Sequence, residues 1–271
     1  MFRSLVTCFG VIVLLQSGNL RIFSQVIMDK PPVSGIDVEE HLGERIPLDL
    51  EFTNDEGKKV KLDEYFHQGK PVVIVLAYYN CPMLCTLVLN GLADAVKQTG
   101  WTAGKEYKII TISIDTSETA ELADQKRKSY LKYLARPDGD AGWRFHVGEQ
   151  SQILRIASAL GFKYFYVEDR KEFAHPAVVF ILSEDGKISR YLYGIQFKER
   201  DFRLALVEAS EGKVGNTLDR LLLYCFHYDP NAKGYVVMAT NVMKLGGVAT
   251  ILLLGIFLAI MWKRDRNSKT D

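Results

Sequence analysis

A continuous apolar run from Val72 to Ala77, rich in β-branched residues, follows the break Gln68-Gly69-Lys70-Pro71. Such a run reads as a central strand buried on both faces. From Leu87 to Gln98 the apolar positions take helical spacing, and Gly100 closes the element. A second buried strand is predicted over Lys105 to Asp115, ending in an acidic residue. Thr116 to Leu134 reads as a helix, with N-cap candidates in Ser117-Glu118-Thr119 and acids at Glu121 and Asp124. Trp143 to Val147 is a short strand, and Gln150 to Leu160 a helix capped by Gly161.

Two hairpins frame this alternation. Upstream, after an irregular lead-in from Gly35 to Pro47, Leu50 to Thr53 and Val60 to Leu62 flank the turn Asn54-Asp55-Glu56-Gly57. Downstream, Ala177 to Leu182 and Lys187 to Tyr193 flank Ser183-Glu184-Asp185-Gly186, and a helix from Glu199 to Ser210 follows. The order is hairpin, βαβαβα, hairpin and helix. That is an α/β chain of thioredoxin-like sandwich type, not a symmetric doubly wound sheet.

The two ends have a different pattern. Met1-Phe2-Arg3 and the apolar stretch Leu5 to Leu15 resemble a secretory signal, expected to occupy residues 1–25. Leu245 to Trp262 holds no charged residue over 18 positions and is followed by Lys263, Arg264, Arg266 and Lys269. This predicts a transmembrane helix over 244–262 and a cytoplasmic tail over 263–271. The expected layout is therefore a domain over 35–212, an accessory segment over 213–243, and an anchor that leaves the domain on the extracytoplasmic side of the cell (inner) membrane.

Composition bounds the function. The chain has 271 residues, is 48% hydrophobic, and carries a net charge of +1 from 34 basic and 33 acidic residues. That balance offers no electrostatic case for nucleic acid. Removing a signal that carries Cys8 leaves Cys81, Cys85 and Cys225, an odd number in an oxidising compartment.

Cys81 and Cys85 fall between the central strand and its helix, where the helix dipole favours thiolate. Their spacing of four lets both sulfurs converge, either on a soft metal such as Cu(I) or as a disulfide. His175, just before the strand Ala177 to Leu182, is the candidate third ligand, because in a thioredoxin-like sandwich that strand begins opposite the cysteine loop. The same topology predicts a cis bond between His175 and Pro176. Met83, between the cysteines, either touches metal or fills space. Tyr78 and Tyr79 are divided between the core and the rim of the site. His41, His67 and His146 read as surface or structural residues. In LLLYCFHYDP, Cys225 and His227 would share a face only on a strand; they are either an auxiliary copper site or part of an aromatic plug.

YYNCPMLC, the strand end ISID and HPAVVFILSEDGKI together resemble the SCO/SenC family of thioredoxin-like copper proteins, over about residues 40 to 210. The resemblance implies copper, as Cu(I) or Cu(II), on Cys81, Cys85 and His175, with Asp115 at an acidic position near the site. It also implies delivery of copper to, or reduction of thiols in, the binuclear copper site of cytochrome c oxidase; another cuproprotein is the alternative partner. Two features depart from the family: the C-terminal anchor, where an N-terminal one is usual, and Pro176 in place of Ser or Thr. A thiol–disulfide oxidoreductase acting on a partner protein without carrying metal remains the alternative function.

Overall fold

The computed structural model describes residues 37–81, 83–135, 142–211, 219, 222–223, 226–229 and 233–268. The expected signal segment and Cys225 lie outside them.

A seven-stranded sheet forms the centre. The central strand β3 (Val72–Ala77) is buried at every position and pairs in parallel with β4 (Lys108–Ser113), which pairs in parallel with β5 (Trp143–Val147). On the far side of β5 the predicted upstream hairpin, β1 (Glu51–Asn54) and β2 (Lys59–Lys61), closes one edge. On the other side of β3 lie β8 (Val178–Leu182) and β9 (Ile188–Tyr193), both antiparallel to their neighbours. The strand order is β2-β1-β5-β4-β3-β8-β9. Parallel strands need crossovers, and these are the helices α1 (Leu84–Gln98) and α2 (Ala120–Leu134). With α3 (Gln150–Ala159) and α4 (Glu199–Ala209) they complete the thioredoxin-like α/β sandwich.

Local chemistry explains the element ends. Thr119 caps α2, its hydroxyl accepting the Leu122 N–H. Gly161 ends α3 with φ +63°, and a Cβ there would lie 1.7 Å from the Glu39 carbonyl oxygen. Only glycine permits both the left-handed turn and that close approach. The same contact ties the lead-in to the domain, with the Glu39 N–H donating to the Gly161 carbonyl at 2.9 Å.

Three features differ from the sequence expectations. The first helix begins at Leu84, not Leu87, so Cys85 lies in its first turn. An additional hairpin, β6 (Phe165–Val167) and β7 (Glu172–Ala174), sits between α3 and β8. Its strands have three residues each, too few to display a period of two. The His175–Pro176 bond is trans, not cis. Trans is the lower-energy form by about 0.5–1 kcal/mol.

The described part of the accessory segment packs on the domain. β10 (Phe226–Asp229) and β11 (Gly234–Val237) form a hairpin whose Tyr228 and Tyr235 join the domain core. The Tyr228 hydroxyl donates to the Tyr191 carbonyl at 2.8 Å and that of Tyr235 to Glu208 at 2.6 Å. Arg190 lies 5.0 Å over the Tyr228 ring, and Arg200 4.7 Å over Phe226. One residue past β11 begins α5 (Ala239–Ser268), whose first 22 residues are apolar enough to cross a membrane and bury nothing within the protein.

Candidate metal centre

Topology brings the predicted donors together. In the antiparallel register Val72 faces Leu182 and Ile74 faces Phe180, so β8 begins where β3 ends. His175, three residues before β8, therefore arrives beside the cysteine turn that follows β3. The Cys81 and Cys85 sulfurs and a His175 ring nitrogen all lie within 4.8 Å of one another, and all three residues are buried.

The two sulfurs do not meet as neighbours along one helix face. Cys81 precedes α1, and its sulfur accepts the Cys85 backbone N–H at 3.2 Å, occupying the place of an N-cap acceptor. The Cys85 sulfur accepts the Tyr78 N–H at 3.4 Å and lies 2.8 Å from His175 Nε2. His175 Nδ1 is 2.9 Å from the Pro176 carbonyl, which can only accept, so Nδ1 carries the proton. In the neutral imidazole the Nε2 lone pair then faces the sulfurs. Tyr78, 6.2 Å away edge-on, and Phe162, 5.9 Å away, hold the ring.

The site is electrostatically asymmetric. Hydrogen bonding from the Cys85 side chain above all, and from Tyr78, draws the Cys81 thiol far below its ordinary pKa. Burial pushes Cys85 strongly upward, and the Cys81 charge adds to that. The same environment thus holds one thiolate and one thiol.

The other predicted residues are distributed as follows. Met83 stands at the surface, 68% exposed, between the cysteines. Asp115 turns to its own loop, its carboxylate accepting the Ser117 N–H at 2.8 Å and hydroxyl at 2.7 Å. His227 is in β10 opposite Val236. Of the tyrosines, Tyr78 belongs to the site, whereas Tyr79 is a core residue whose hydroxyl donates to the His146 carbonyl at 2.6 Å. His146 is fully buried against Tyr65 and Thr111, His41 bonds the Ala159 carbonyl, and His67 is exposed beside Asp63.

Glu118 was not foreseen. Its carboxylate accepts the Tyr79 N–H at 2.8 Å and the Asn80 N–H at 2.7 Å, at the root of the cysteine turn. Its partners in the cysteine turn are backbone amides, which leave no mark in a sequence; the only available signal was an acid three residues after a strand-end acid.

A family model described as SCO1/SenC matches residues 39–203, more than half of the chain. The chain belongs to the SCO1/SenC family. Two solved structures of Aquifex aeolicus VF5 proteins, designated for electron transfer and electron transport, are each similar at 27% identity. They cover 62% of this chain and 94% and 98% of their own, with TM-scores of 0.54 and 0.52. Copper-bound ScoI of Bradyrhizobium japonicum matches at 20% identity over 64% of this chain and 98% of its own, with a TM-score of 0.43. Comparison with curated protein sequences returns no match.

Proposed function

We propose that this SCO1/SenC protein is a membrane-tethered, extracytoplasmic copper carrier that serves the binuclear copper site of cytochrome c oxidase, by delivering the metal or by reducing the thiols there. The observation that carries this reading is the convergence of two sulfurs and an imidazole nitrogen whose tautomer is set by Pro176. The donor set fits its cargo: thiolate and imidazole ligands in a buried pocket suit Cu(I), whereas a hard, oxygen-preferring ion would find no carboxylate among the three donors. Cys81, Cys85 and His175 would hold the ion. The roles of Asp115, Met83, Cys225 and His227 in this scheme are auxiliary. The apolar α5 supports the tether, and the basic residues after it support an extracytoplasmic domain.

A second reading, thiol–disulfide exchange on a partner protein without metal, is favoured by the asymmetry of the pair. A thiolate at Cys81 can attack a disulfide while Cys85, kept as thiol, later resolves the mixed intermediate. Such a reagent has no use for a third soft donor. The copper content of the detergent-solubilised full chain, reduced and handled anaerobically, separates the two. One tightly held Cu(I) per chain supports the carrier; no retained copper supports the exchange reagent.

A further inference from the structure

Glu118 sits in the turn between β4 and α2 and is only 7% exposed. Burying a carboxylate is unfavourable, and burial raises its pKa; three hydrogen-bond donors oppose that. Besides the Tyr79 and Asn80 amides, the Ser113 hydroxyl donates to it at 2.6 Å. The helix beside it does not require the charge, because Thr119 already supplies the N-cap of α2. What the carboxylate does is accept two successive amides of the turn that leaves β3. Across three consecutive residues the acceptors are the Cys85 sulfur for Tyr78, and the two Glu118 oxygens for Tyr79 and Asn80. The next residue is Cys81.

We propose that Glu118 is a positioning residue for the thiol pair: by gripping the Tyr79 and Asn80 amides it holds Cys81 at the place from which its sulfur reaches the Cys85 amide and the His175 side of the pocket. Glu118 touches neither sulfur through a hydrogen bond and acts through the backbone. A turn held in this way presents the sulfurs to a metal without prior rearrangement and resists the movement that brings them to bonding distance, about 2.05 Å in a disulfide. In its copper aspect the inference rests on the carrier reading; in its thiol aspect it does not.

The test compares wild type, Glu118→Gln and the nearby exposed control Glu121→Gln as full chains in detergent. Two readouts are taken well below each protein's melting temperature. The first is Cu(I) affinity, by competition with a colorimetric Cu(I) chelator. The second is the equilibrium with glutathione, in which Cys81 and Cys85 give two protons and two electrons to one glutathione disulfide. The protein disulfide forms and two glutathione thiols leave. Gln keeps the size but turns an NH2 group toward an amide donor. The expected result for Glu118→Gln is Cu(I) binding weakened about tenfold or more. Its thiol equilibrium should also move at least about fivefold toward the disulfide, with Glu121→Gln at wild-type values. A folded Glu118→Gln within twofold of wild type in both readouts overturns the proposal. If wild type binds no Cu(I), the carrier reading falls and the glutathione equilibrium alone decides the role of Glu118. If Glu118→Gln does not fold, amide hydrogen exchange on wild type decides: protected Tyr79 and Asn80 amides support the grip, and exchange at free-chain rates overturns it.

Discussion

The Cys85 backbone N–H donates to the Cys81 sulfur at 3.2 Å, so the first cysteine caps the helix that carries the second. This bond is one of the contacts that lower the Cys81 thiol, the largest being that from the Cys85 side chain, whereas burial raises Cys85. The Cys81 sulfur takes the partial positive end of α1, whereas Cys85, inside the helix and 1% exposed, is shielded from water.

The asymmetry predicts selective alkylation. At pH 6 Cys81 is already a thiolate in the reduced protein and Cys85 is a thiol. Brief iodoacetamide treatment followed by peptide mass spectrometry should label Cys81 at least about tenfold faster than Cys85. Equal labelling would contradict the assignment.

Stability should depend on pH through His146. The ring is buried between Tyr65 and the Thr111 carbonyl, and desolvation lowers its pKa to about 3. The unfolded chain binds a proton near pH 6.5 and the native one does not. Stability is therefore fully present above pH 6.5 and is lost as pH falls toward 3, at up to about 1.4 kcal/mol per unit. Between pH 6 and 5, where most carboxylates do not titrate, urea unfolding of wild type should show this slope and His146→Gln should lack it. Parallel curves for the two proteins would remove His146 from the account.

The accessory hairpin should contribute to domain stability. Tyr235→Phe removes the 2.6 Å hydrogen bond to Glu208, which keeps its ion pair with Arg190. The expected loss is about 1–2 kcal/mol in chemical denaturation of the full chain. No measurable change would mean that the hairpin is not docked as described.

Periodicity made most of the domain legible. β3 and β5 coincide with their expected runs, β3 because a strand buried on both faces needs an unbroken apolar stretch, and β5 because apolar residues alternate along Trp143-Arg144-Phe145-His146-Val147. Cys81, Cys85 and His175 were legible as a group because topology, more than local sequence, brings the start of β8 to the end of β3. What stayed hidden depended on backbone partners or on short elements. β6 and β7 are too brief to carry a pattern. Asp115 and Glu118 both follow the strand end, and only the turn conformation determines that Asp115 bonds Ser117 while Glu118 turns back to the cysteine loop. The trans bond at Pro176 likewise depends on tertiary context.

X-ray absorption of the Cu(I)-loaded full chain tests the central claim most directly. The account predicts a three-coordinate ion with two sulfur scatterers and one nitrogen, and loss of the nitrogen in His175→Ala. A wild-type spectrum with sulfur ligands only, or one that His175→Ala leaves unchanged, would contradict it.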